Sequence, residues 1–183
     1  MPPNDPAPRG VSPHEDSSGV SPREDSLEAL ALDEIEEAAG ELHRRIATAL
    51  RAIGEPRADS PDEHGLAPRR EVASLAATLE LAGLVLAAVA AGGPAVVPRI
   101  DRHPALVAAV MYAAPSIPAL LGRLDQDRRL VASIARTLES RLGEEHETPW
   151  GKVRLRRLLV EVLLGAGARC AIALEDGGGE APA

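Results

Sequence analysis

The sequence predicts an all-α protein: a four- to five-helix bundle with a disordered N-terminal tail and a short disordered C-terminus. Three observations predict it. Hydrophobic residues make up 45% of the 183-residue chain, yet there is no Phe, one Trp (Trp150) and one Tyr (Tyr112). The core must then be filled with Leu, Val, Ile and Ala, and Ala has the highest helix propensity. Apolar residues recur at three- and four-residue steps, not in the alternating β-branched and aromatic runs that strands favour. Finally, residues 1–25 are rich in Pro, Ser, Asp and Gly, with Val11 and Val20 their only sizeable apolar residues, too little to offset ordering entropy.

The chain divides into a tail (1–25), a helical body (26–174) and an end segment (175–183). Within the tail, Gly10-Val11-Ser12-Pro13-His14-Glu15-Asp16-Ser17 recurs nine residues later with Arg23 in place of His14. Two copies are too few for a solenoid; a linear interaction motif or slippage of the coding sequence accounts for them.

For the first helix, Asp25 and Glu28 form a capping-box pattern. Leu32, Ile35, Ala39, Leu42, Ile46, Ala49 and Ile53 mark its buried stripe. Acidic residues crowd its early turns and Arg44, Arg45 and Arg51 its late ones, as the helix dipole favours; Gly54 and Pro56 end it. Residues 54–68 read as a long polar link with room for flexibility or function. A second helix is predicted from Arg69 to Ala91, broken by Gly92-Gly93-Pro94. Asp101 or His103 caps a short third helix that Pro115 ends. Ser116 starts a fourth, with the stripe Leu120, Leu124, Val131, Ile134, Leu138 and Leu142, closed by Gly143. The last helix is predicted to open with Thr148 as cap and Pro149 in its first turn, and to reach about Leu174.

The formal net charge is −8, but residues 1–25 and 175–183 each hold −3, which leaves −2 on the body. That balance is no footprint for nucleic acid. Cys170 is the single cysteine, so no intrachain disulfide forms, and its apolar helical setting suggests a small buried hydrophobe. The N-terminus lacks a basic region followed by an apolar stretch, so a cytoplasmic location is the expectation.

Two segments are apolar nearly all round: residues 81–91 and 158–174, the latter interrupted mainly by Glu161 and Arg169. A helix without a polar face is central, intersubunit or in a membrane. The uncharged stretch Leu81–Pro98 holds too few helical residues for the ~20 that a bilayer needs. A central pair of helices, sealed by contact with a second copy, is the expectation.

No nucleotide loop, nucleophile elbow or CxxC pair is present. Gly165-Ala166-Gly167 begins like a dinucleotide fingerprint but lacks the third glycine and a preceding strand. No Glu has a His three residues after it, the spacing that carboxylate–histidine metal sites in bundles use. Glu144-Glu145-His146-Glu147 reads as a solvated turn. No cofactor and no catalytic residue is assigned.

Leu42-His43-Arg44-Arg45-Ile46 resembles the first-helix histidine segment of haemerythrin-like domains. Met111-Tyr112-Ala113-Ala114-Pro115 and the segment 121–130 are similar to that family's later helices. The resemblance implies an oxygen- or iron-binding four-helix bundle, but only His43 carries over. Asp127-Arg128 stands where the family has an acidic residue followed by His, and the second helix offers only Glu71 and Glu80. What the resemblance implies is a metal-free relative.

Asp127 and Arg128 fall between Leu124 and Val131, where the stripe calls for an apolar residue. Either the stripe drifts and Arg128 reaches outward, or a buried ion pair or partner contact forms there. Lys152, Arg154, Arg156 and Arg157 make a cationic cluster at the start of the last helix, against the dipole, and suit an acidic partner, including the chain's own Glu144–Glu147 turn. The expected function is a non-enzymatic interaction or regulatory module that self-associates or docks a protein partner. A metal- or small-ligand-binding bundle and a membrane-associated protein are the alternatives.

Overall fold

The computed structural model describes residues 29–61, 65, 67–95 and 98–177, and these form an all-α bundle with one small hairpin. The N-terminal tail, its duplication and the Asp25–Glu28 cap lie outside the described residues. Helix α1 (Leu32–Ile53) opens instead with Ala31, whose N–H donates to Glu34 Oε2 at 2.7 Å. Of its predicted stripe Leu32, Ile35, Ala39 and Ile46 are buried and Leu42, Ala49 and Ile53 half-buried, while Leu50, outside that stripe, is fully buried.

The polar link is pinned where it begins. A single turn, α2 (Glu55–Ala58), buries Ala58 and sets Glu55 against Arg69, the first arginine of α3 (Pro68–Ala90). Glu55 Oε1 also accepts from the N–H of Ile117 (2.7 Å), at the start of α5 (Ile117–Thr137), and Arg69 Nη1 donates to the Pro115 carbonyl (2.9 Å). One carboxylate thus ties the starts of two helices together, satisfying an orphan amide of the second.

Between them runs α4 (Pro104–Ala113). Of the two candidate caps, His103 serves: its Nδ1 accepts from Ala105 N–H at 3.3 Å. Asp101 is buried instead, 1% exposed, held by Thr78 Oγ1 (3.2 Å) and Arg99 Nε (3.3 Å). Ser116 caps α5 through Ala119 N–H, as expected. Helix α5 stops at Thr137, and a 3₁₀ turn (Glu139–Arg141) covers the remainder of the predicted fourth helix.

The last predicted helix begins later than expected. Strands β1 (Glu145–Thr148) and β2 (Gly151–Arg154) pair antiparallel around Pro149-Trp150, with Gly151 at φ 95°. Thr148-Pro149 is equally good chemistry for a helix start and for a tight turn, because proline's fixed φ suits both. The alternation after it decides: Val153 and His146 face each other half-buried, while Glu145 lies opposite Arg154 and Glu147 opposite Lys152. Helix α6 (Leu155–Leu159) then runs through a π-helical segment (Val160–Gly165) into α7 (Ala166–Gly177). Glu175, Asp176 and Gly177 therefore belong to a helix and not to the end segment, and Glu175 pairs with Arg45 of α1 at 2.8 Å.

The centre of the bundle is α3. It packs most extensively on α5 and also on α4, α7, α1 and the π segment. Helices α3 and α5 run parallel: Arg69 meets Pro115, Glu80 meets Arg123, Gly83 meets Val131, and Arg141 beyond α5 reaches the Val89 carbonyl. Helix α3 is long and apolar enough to cross a membrane, so the length argument drawn from Leu81–Pro98 does not stand. What distinguishes it is its surroundings, since 72% of its apolar window is buried by the rest of the chain. Val89, Leu159 and Leu163 are buried within the single chain, whereas Leu84 and Ile172 of the same apolar segments stay exposed.

Candidate functional site

The cationic cluster is divided between two elements. Lys152 and Arg154 lie on β2, and only Arg156 and Arg157 start a helix. Lys152 Nζ is 3.6 Å from Glu145 Oε2, so the chain's own acidic segment does take up part of this charge. Arg156 Nη1 turns inward to the Leu30 carbonyl, and Arg154 and Arg157 are partnered too. Arg99 stacks over Trp150 at 5.7 Å, holding the hairpin tip against the bundle.

Asp127 and Arg128 do not pair with each other, because adjacent helical residues point about 100° apart. Arg128 lies beside α1, near Gly40, and donates to Asp125 Oδ1 at 2.7 Å. Next to it His43 is half-buried with Nδ1 unpartnered, as is Arg128 Nε. Burial and then the charges of Arg128, Arg51 and Arg129 hold the His43 pKa below its usual value, against the pull of Asp125. A water-sized cavity of about 20 Å³ borders His43 and Arg128, with Val162 and Leu163 of the π segment among its walls. Among the described residues, no three His, Cys, Asp or Glu side chains are grouped to hold a metal ion.

Asp127 faces α3. Its side chain is 12% exposed, 3.8 Å from Arg123 Nε, and beside Glu80, which itself accepts from Arg123 Nε at 2.8 Å. Burial pushes the Asp127 carboxyl up to about 6, and the neighbouring charge of Glu80 and a hydrogen bond with it add to this, while Arg123 opposes it. Two carboxyls and one guanidinium leave the group one positive charge short, so Asp127 holds a proton well above the normal carboxylate range.

This acidic pair sits at one end of an apolar face. Gly83 meets Val131 at the α3–α5 contact. In parallel right-handed helices, Leu84 and Leu130, one residue on and one residue back, then emerge on the same side. Leu84 is 64% exposed and Leu130 53%, with Ala87 exposed beside Leu84 and Ile134 half-buried beside Leu130. Sequence reading placed Asp127 here but missed Glu80, Arg123 and the two leucines. One signal was legible: Glu80 is the sole charged residue between Val72 and Pro98. An acid kept in such a run requires a partner.

Cys170 is buried as expected, and burial followed by the charge of Glu71 pushes its thiol up to about 12, which favours the protonated thiol at neutral pH. Gly167 also finds its purpose: a Cβ there would meet Leu42 Cδ1 at 3.3 Å, so this glycine lets α7 approach α1 closely. Comparison with known proteins finds no match: no family model, no curated protein and no solved structure matches this chain.

Proposed function

We propose that this chain is a non-enzymatic interaction module that docks a protein partner, a second copy of itself being the simplest, through the α3/α5 face. The observation that carries the reading is Leu84. Helix α3 is otherwise buried on most sides, yet it presents this large apolar side chain to solvent beside Leu130 of α5. A scattered exposed leucine is ordinary, whereas two on one side of a packed helix pair, with alanine between turns, make a contiguous apolar strip. Glu80, Asp127 and Arg123 rim one end, the polar border that a docking face needs for orientation. Homo-oligomers with two-fold symmetry are the commonest assemblies, and a strip along parallel helices can pair with its own copy.

Sedimentation of the purified chain tests this. The expected result is a dimer that Leu84→Glu with Leu130→Glu converts to monomer, with helix content unchanged because both sites are exposed. A wild-type chain that stays monomeric at about 100 µM, where even weak assemblies populate, and that captures no partner from its native host overturns the reading.

A further inference from the structure

On the opposite side of α3 lies a cleft of about 460 Å³, walled by the first turns of α3, by Arg102 and Val107 of the α4 region, and by α7. Glu71, Ser74 and Thr78 line it from α3, half a helical turn or so away from Glu80 and Leu84. We propose that this cleft binds a small organic monoanion with an apolar body, its carboxylate held by Arg70 and Arg102.

Arg70, Arg102 and Arg169 stand around the cleft, while Leu75, Val107 and Ala173 supply apolar lining. Arg169 is already engaged by Glu161 at 2.8 Å. Arg70 and Arg102 make no ion pair or side-chain hydrogen bond among the described residues, in a fold where Arg44, Arg45, Arg69, Arg123, Arg136 and Arg141 are all paired with carboxylates. Two guanidinium groups without a carboxylate partner among the described residues, both lining a partly apolar cleft, match a carboxylate, which arginine binds in bidentate fashion. Glu71 offsets one of these charges, so the field favours a single negative charge over a phosphate dianion. The volume falls within the range of small-molecule sites. This site does not depend on the α3/α5 face, and either can fail without the other.

The test is calorimetric titration of the full chain with octanoate, alongside octylammonium, octanol and inorganic phosphate. Saturable octanoate binding with a Kd of roughly 0.1–1 mM is expected for a few good contacts. Arg70→Glu with Arg102→Glu should weaken it at least about tenfold, as loss of a charge-assisted pair does. Ala173→Phe, which fills the apolar wall, should abolish it. Both arginines are exposed, so the double variant should melt like the wild type, a check made by circular dichroism. Absence of saturable octanoate binding, or equal affinity in the double variant, overturns the proposal. Equally tight binding of octylammonium, octanol or phosphate also does so, because the carboxylate or the apolar body would then contribute nothing.

Discussion

At the scale of single residues, Asp127 is where burial and charge conflict most openly. Its folded-state pKa of about 6 lies above the value of 3.8 for a free Asp. The folded chain therefore binds the proton more tightly than the unfolded chain does. The stabilisation this brings is fully present below pH 4 and is lost as pH rises through 6, so at pH 7 the charged Asp127 weighs against the fold by about 3 kcal/mol. Asp127→Asn should stabilise the chain by up to about that amount at pH 8 and by close to nothing at pH 4, as urea denaturation at the two pH values would show. An equal effect at both would mean that Asp127 is not perturbed. From the sequence, Asp127 was visible as an oddity in the α5 stripe. Its cause was not, because Glu80 lies 47 residues away and only the parallel packing of α3 and α5 brings the two together.

At the scale of elements, periodicity located α1 and α3, though not the start of α1, and capping chemistry located α4 and α5, because each carries a strong local signal. The hairpin and the π segment were not legible for different reasons. Thr148-Pro149 fits two structures, and four-residue strands are too short for alternation to outweigh a neighbouring helical pattern. The π segment inserts one residue into an unbroken helix, which leaves no break in composition. It shifts the buried stripe from Leu155, Leu158 and Val162 onto Leu163, Gly167, Cys170 and Leu174, keeping both halves of the rod against the bundle. That phase shift sets Gly167 against Leu42. Replacing the glycine by valine should push α7 off α1 and cost about 2 kcal/mol, the usual scale of overpacking. Thermal or urea unfolding measures this. Unchanged stability would show that the two helices are not in close contact there.

At the scale of the whole molecule, the apolar faces that suggested a second copy or a membrane are mostly answered within one chain. Helix α3 is surrounded by α1, α4, α5, the π segment and α7; among the described residues the large apolar side chains left exposed are Leu84 and Leu130 on the α3/α5 face and, elsewhere, Ile100, Tyr112 and Ile172. The sequence revealed that some helix had to be central, from the run of residues without charge. It did not reveal which neighbours cover it, because that depends on the α3–α5 parallel pairing and on the clamp of Glu55, Arg69 and Ile117. Amide hydrogen exchange along α3 in dilute aqueous buffer measures that enclosure directly. The expected result is that Val72–Val89 contains the slowest-exchanging amides of the chain, with protection independent of protein concentration and of added detergent. Rapid exchange in plain buffer, with protection gained only on concentration or in detergent, would contradict it.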